Sequence, residues 1–314
     1  MIALEAIESA RERIAGSAVR TPLVRLHVDA PAEIWLKLEN LQPIASFKIR
    51  GAANAVRAAD PVDVEAGLVT ASAGNMAQGV GWIARELGVP ATIVVPEHAP
   101  EAKTAAVERL GGEVMRVPYE DWWRAIVESR VDGVEGLFVH PVEDEGVMAG
   151  NGTIGLEILE DLPEPAAVVV PYGGGGLVTG IASALRALRP ETRVYAVEPE
   201  TGAALAAALA AGEPTKIDYR PSFVDGSGSP TVLPGMFARV RQLIDGAFTA
   251  SLEETAAAVR LLADRTRVIA EGAGGLAPAA ALAGHSGEGP VVCVVSGGNI
   301  DLSILGRVLA GETP

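Results

Sequence analysis

The strongest constraint on this chain is an alternation of texture. Short β-branched runs stop at glycine or another small residue, and alanine-rich amphipathic stretches follow them. GLVTASAG (67–74), ATIVVPE (91–97), GEVMRVP (112–118), AAVVVPYGGGG (166–176), RVYAVEPE (193–200) and PVVCVVSGGN (290–299) each read as a buried strand. Between them, 75–87, 103–111, 121–130, 177–188 and 251–265 read as helices, as do the N-terminal MIALEAIESARERIAG and the alanine-rich 203–211. EIWLKLENLQP reads as extended. Apolar strands alternating with helices predict parallel sheets covered on both faces. The 314 residues suffice for about two domains. The expected fold class is α/β: two three-layer domains with mostly parallel sheets.

In open parallel sheets a ligand sits beyond the carboxyl ends of the strands. Three strands end in loops of small residues: Ser72-Ala73-Gly74-Asn75, Gly173-Gly174-Gly175-Gly176 and Ser296-Gly297-Gly298-Asn299. That topology suggests one shared pocket. The four consecutive glycines join a strand to a helix, so their amides and the helix N-terminus form a phosphate cradle. A plain tight turn is the bland alternative. The loop lacks the Lys-Ser/Thr ending of a nucleotide P-loop and does not fit GxGxxG. GAGGLA (272–277) fits a loose GxGxxA form, but about 40 residues follow it, too few for a dinucleotide half-domain. It is read as a strand-to-helix turn after RVIAE.

Composition removes other classes. Lys+Arg is 25 and Asp+Glu is 40, a net charge of −15, which disfavours nucleic acid as a partner. No apolar run reaches the roughly 18 residues of a membrane span, and the N-terminus does not resemble a signal peptide. A single cysteine, Cys293, excludes an internal disulfide framework. His27, His98, His140 and His285 are scattered without metal-ligand spacing. A cytoplasmic enzyme acting on a small molecule is expected.

The lysines are Lys37, Lys48, Lys103 and Lys216. Lys48 opens an alanine-rich helix in ASFKIRGAANAV. It is either a surface residue or a desolvated amine that condenses with an aldehyde. A reactive lysine beside a phosphate cradle points to pyridoxal 5'-phosphate, the cofactor that needs both.

LKLENLQPIASFKIRGAANAV, TASAGNMAQGV, PYGGGGLVTGI, VEPE, FVDGSG, EGAGG and VVSGGN together resemble the threonine/serine dehydratase and serine racemase family. These are pyridoxal-phosphate enzymes of fold type II, the tryptophan-synthase β type, and the resemblance runs from about residue 5 to residue 308. It implies that Lys48 binds the cofactor aldehyde and later takes the substrate Cα proton. Phe47 would pack on the pyridine ring, or serve as ordinary core. Asn75 would meet the cofactor's phenolic oxygen, and Ser296 its ring nitrogen. Gly173 to Gly176 and the amide of Leu177 would hold the phosphate. Ser72, with the amides of Ala73, Gly74, Asn75 and Met76, would hold the substrate carboxylate; locally, Ser72 is equally an N-cap. The implied reaction is α,β-elimination of water from a small L-hydroxy amino acid, giving a 2-oxo acid and ammonia. A homodimer is implied by the same analogy, with a large domain of 1–59 plus 145–314 and a small domain, 60–144, that closes over the substrate.

Several positions depart from the family pattern. Racemase members carry a second serine where this chain has Ala73, which ranks racemisation below dehydration. Met76 replaces a histidine near the substrate and suggests a more apolar pocket. The family's divalent-cation site uses Glu198 and an acid six residues on, where Ala204 stands; no metal is assigned, a divalent or monovalent cation stays open as an alternative, and Glu198 is otherwise a surface or strand-end carboxylate. Arg124 aligns with an arginine that reaches substrate carboxylates in relatives and would favour 3-hydroxyaspartate; a solvated helix arginine is the alternative. Of Trp122 and Trp123, one reads as a core contact and the other as a lid or dimer contact, in either order. The chain stops soon after VVSGGNIDLSILGRVL, so feedback through a C-terminal regulatory domain is not expected. The alternatives to dehydration are racemisation, β-replacement and a non-catalytic cofactor or amino-acid binding module.

Overall fold

The computed structural model describes residues 1–99 and 101–314. Pro100 lies outside the described residues, as do the side chains of Ala102 and Lys103. The strands are β1 (Leu23–Arg25), β2 (Glu33–Leu38), β3 (Leu68–Ala71), β4 (Ala91–Pro96), β5 (Glu113–Val117), β6 (Leu137–Phe138), β7 (Ala167–Pro171), β8 (Arg193–Pro199), β9 (Gly246–Ala250) and β10 (Pro290–Val295). They form a six-stranded sheet, β1-β2-β10-β7-β8-β9, and a four-stranded sheet, β5-β4-β3-β6. Every pairing is parallel except β1 with β2. The α/β class with two mostly parallel sheets is therefore as expected.

The larger sheet buries both faces by the two-residue period of strands. Val168, Val170, Val194, Ala196, Val292 and Val294 enter one core. Ala167, Val169, Val197, Val291, Cys293 and Val295 enter the other. Cys293 is wholly buried, and burial pushes its thiol far up. The smaller sheet divides likewise, Leu68 and Ile93 facing one way and Val69 and Val94 the other.

Two readings need correction. Residues 267–271 form no strand, and GAGGLA is the start of a helix, Gly272–Leu282. Its glycines admit the helix Leu252–Thr266, since a Cβ on Gly275 would lie 2.7 Å from Val259 Cγ2. The helix Glu145–Asp161 is absent from the sequence pattern, because Gly146, Gly150, Gly152 and Gly155 weaken its helical signal. Tertiary packing explains those glycines. A Cβ on Gly150 would overlap the backbone of Arg50, and one on Gly180 would lie 2.7 Å from Gly152 N. Helices Lys48–Ala58, Glu145–Asp161 and Gly176–Leu188 thus meet backbone to backbone.

This crossing predicts that Gly180→Ala, a favourable change for an isolated helix, destabilises the protein by about 1–3 kcal/mol through overpacking. A lowered midpoint in urea unfolding at unchanged slope is the expected reading.

Candidate functional site

The loop after β10 fixes the start of the lysine helix. Ser46 bridges Gly297 in antiparallel fashion, Phe47 N donates to Ser296 O (3.0 Å) and Gly298 N donates to Ala45 O (2.8 Å). Ala45 takes a positive φ of 52° to make this contact. Lys48 then opens the helix Lys48–Ala58.

One turn of that helix is anchored by charge. Arg50, fully buried, donates from Nε and Nη2 to the two oxygens of Glu39 (2.8 and 2.9 Å) and from Nη1 to Glu157 Oε1 (2.7 Å). Lys37 Nζ donates to Glu157 Oε2 and to Thr21 O. Thr21 and Gln42 side chains also donate to Glu39. Burial pushes the Glu39 carboxyl up, and the Arg50 guanidinium pulls it back below the usual carboxylate range. Two cations and two anions thus balance inside the protein.

Lys48 Nζ donates to Pro141 O (3.0 Å) and lies 5.3 Å from the centroid of the Phe47 ring. Desolvation lowers its amine to about 8, against the opposing charge of Glu271. Phe47, Lys48, Gly173 to Gly176, Leu177 and Ser296 line one pocket, with Pro141, Val142, Pro171 and Gly226 completing it. Gly175 has φ +97° and precedes the 13-residue helix Gly176–Leu188, which has no side-chain cap. A Cβ on Gly174 would lie 2.7 Å from Val142 Cγ1. Only glycine lets this backbone line the pocket.

A cleft of about 270 Å³ adjoins this pocket, sharing Pro141, Val142, Gly173, Gly174 and Gly226 with it. Ala71, Ser72, Trp122, Trp123 and Ile126 form one wall, and Asp225 to Leu233 the other. Ser72 Oγ accepts from Gly74 N (3.2 Å), so it closes a local turn; the N-cap of helix Asn75–Leu87 is Gly74, which leaves the first amides without a side-chain cap. A Cβ on Gly74 would meet nothing within 4 Å, and Ala73 packs partly against the small core. Asn75 Nδ2 donates to Glu271 Oε1 (2.8 Å), and Asn75 Oδ1 accepts from Asn299 Nδ2 (2.8 Å).

Two side chains expected near the substrate face elsewhere. Met76 is 1% exposed and belongs to the buried stripe of its helix with Val80 and Ile83, so its side chain does not make the pocket apolar. Arg124 pairs with Asp121 (2.9 Å) and lines a separate depression with Glu128 and Arg130. The apolar wall comes from Trp122, Trp123 and Ile126 instead. Trp122 Nε1 is buried without a hydrogen-bond partner. Sequence reasoning gave no role to Glu271, Asn299, Pro141 or Val142. The EGAGG motif held the signal for Glu271, hidden by its reading as a turn.

Glu198 is held by backbone amides. Its two oxygens accept from Leu205 N (2.8 Å) and Ala206 N (2.9 Å), at the start of helix Ala204–Ala211. Burial pushes its carboxyl up to about 7 against these amides. Ala204 offers no side-chain ligand.

The fit to a phosphorylated aldehyde is specific. A desolvated amine, an uncapped helix start behind a glycine loop, and a serine at a strand end line one pocket. This arrangement defines an α/β enzyme built around an aldehyde cofactor carrying a phosphate. A family model described as pyridoxal-phosphate dependent enzyme matches residues 14–297, and the chain belongs to that family. It is 38% identical to the L-threonine ammonia-lyase of Thermotoga maritima, over 98% of this chain and 78% of that protein. Maize serine racemase superposes with a TM-score of 0.90 at 31% identity, covering 98% of this chain and 97% of that one. The T.th. threonine deaminase gives 0.87 at 36% identity, covering 95% of this chain and 99% of that one.

Two outcomes are expected. Glu157→Gln leaves Lys37 and Arg50 short of a buried counter-charge and costs about 3–5 kcal/mol, read by denaturant unfolding. In cofactor-free protein, the rate at which Lys48 captures pyridoxal phosphate rises with pH through about 8 and then levels, because only the neutral amine attacks. An unshifted lysine would keep gaining rate toward 10.5.

Proposed function

We propose that this enzyme eliminates water from small L-hydroxy amino acids of the threonine/serine class, releasing a 2-oxo acid and ammonia. The observation that carries the reading is the pocket lined by Lys48, the glycine loop and Ser296, which adjoins a cleft lined by Ser72. The names of the threonine ammonia-lyase and threonine deaminase relatives support the substrate class.

Each residue has a task in this reading. The amides of Gly173 to Gly176 and Leu177 hold the phosphate, and the helix behind them adds its positive end. Phe47 packs against the ring, Ser296 meets its nitrogen, and Asn75 meets the phenolic oxygen while Glu271 and Asn299 orient its amide. A hydroxyl at the ring nitrogen suits a neutral ring and elimination. Ser72 and the amides of residues 73–76 take the substrate carboxylate. Bound there, pyridoxal phosphate supplies the electron sink that makes the Cα proton acidic. Lys48, lowered toward neutrality by desolvation, takes that proton from Cα. The cleft walls keep water from the reacting carbon.

The two sheets support a division into 1–59 plus 145–314 and 60–144. We read the chain as a cytoplasmic homodimer. Among the described residues no helix is long and apolar enough to cross a membrane, and Leu41, Ile269 and Leu302 are exposed apolar residues suited to a subunit contact. The likeness to maize serine racemase favours racemisation as a second reading, but Ala73 offers only a methyl where a second proton carrier would stand.

Purified protein supplied in parallel with L-threonine, L-serine and threo-3-hydroxyaspartate tests the assignment. Release of 2-oxo acid, lowered by roughly 10²–10⁴-fold or more in Lys48→Ala, is the expected result. D-serine from L-serine would replace dehydration by racemisation, and no product from any of the three would overturn the reading.

A further inference from the structure

Lys48 and the glycine loop lean on the same turn, and that turn is held by one imidazole. His140 is buried, just after β6, where the chain leaves the four-stranded sheet for the helix Glu145–Asp161. Its Nδ1 accepts from two backbone amides, Val142 N (3.0 Å) and Glu143 N (2.8 Å). Nδ1 therefore carries a lone pair and no proton. Its Nε2 lies 3.1 Å from Ile126 O and donates to it. Only the neutral ring with its proton on Nε2 satisfies all three contacts.

Each end of this arrangement reaches the site. Ile126 belongs to helix Tyr119–Glu128, which carries Trp122 and Trp123 into the cleft wall. Within the braced turn, Pro141 O is the acceptor for Lys48 Nζ. Val142 abuts Gly174, and its carbonyl oxygen would lie 3.2 Å from a Cβ on Gly176. The turn thus spans the gap between the amine and the phosphate loop.

We propose that His140 is a positioning residue, whose neutral Nε2-protonated ring sets the Pro141–Val142 turn and through it the placement of Lys48 against the glycine loop. The inference rests on Lys48 being the cofactor lysine. The imidazole touches neither substrate nor cofactor; it acts through the turn. A proton added at Nδ1 would face two N–H donors and expel the turn. Desolvation lowers the ring's proton affinity, and Lys48 lowers it further. Glu143 and Asp144 on its own turn and the Ile126 carbonyl raise it. The net direction keeps the ring neutral to a lower pH than an ordinary histidine. Phe138 presents only a ring edge, 6.3 Å away.

The test uses the holoenzyme, His140→Ala and His140→Asn. The asparagine Oδ1 takes the place of Nδ1 as acceptor for the two amides. With L-threonine, His140→Ala should lower kcat roughly 10–100-fold through misplacement while KM holds. It should also shift the pH dependence of the bound cofactor's absorbance. His140→Asn should recover most of both. With four histidines in the chain, a long-range ¹H–¹⁵N spectrum of the wild type reads the tautomer directly. A neutral ring protonated on Nε2 is expected.

A ring protonated on Nδ1 would overturn the proposal. So would wild-type kcat and absorbance in His140→Ala, or His140→Asn performing no better than alanine. If His140→Ala does not fold, the asparagine variant and the wild-type tautomer decide. Should the wild type release no 2-oxo acid, the functional reading fails by itself, and the tautomer and the cofactor absorbance still judge His140.

Discussion

The structure depends most on a neutral cluster of buried charge. Arg50, Glu39, Glu157 and Lys37 come from the lysine helix, from the turn after β2, from the helix Glu145–Asp161 and from β2 itself. A hydrophobic contact would tolerate sliding between these elements. A guanidinium fork on two carboxylates does not, because any displacement leaves a charge unpaired in a dry interior. Arg50 is two residues beyond Lys48. It lies on the other side of the helix from Lys48, so the most heavily constrained part of the molecule anchors the helix whose first residue carries the amine.

The lysine and the glycine loop were legible in sequence for a physical reason. A strand of β-branched residues that ends in four glycines has few purposes, since those glycines sacrifice backbone order unless something must approach closely. The pairing with Lys48 followed from chemistry. The helix Glu145–Asp161 was not legible, because its glycines are explained only by neighbours far away in the chain. Propensity reads local preference, and here packing overrode it.

Side-chain direction was the second thing hidden. Trp122 and Ile126 are four residues apart and share the cleft face. Arg124 is rotated about 200° from Trp122 around the helix axis, so it must face away. No pattern in DWWRAI says which face meets the cleft; that is set by how the helix packs on β3 and β4. Met76 followed the same logic, its place in the i, i+4 stripe of Val80 and Ala84 committing it to the core. Glu198 shows the converse: the carboxylate expected at that position is there, but amides of the following helix occupy both its oxygens.

The backbone-to-backbone crossing of the three glycine-rich helices divides the labour of the site. Lys48 and the phosphate loop both begin helices of that crossing, so they form a stator: neither has a compliant layer of side chains beneath it. Ser72 and the start of helix Asn75–Leu87 follow β3, an inner strand of the other sheet, and form the jaw. Under the proposed function, a jaw that yields to a departing amino acid would leave Lys48 and the glycine loop in place, and Asn75, bonded to Glu271 and Asn299, would be the cofactor contact shared between jaw and stator.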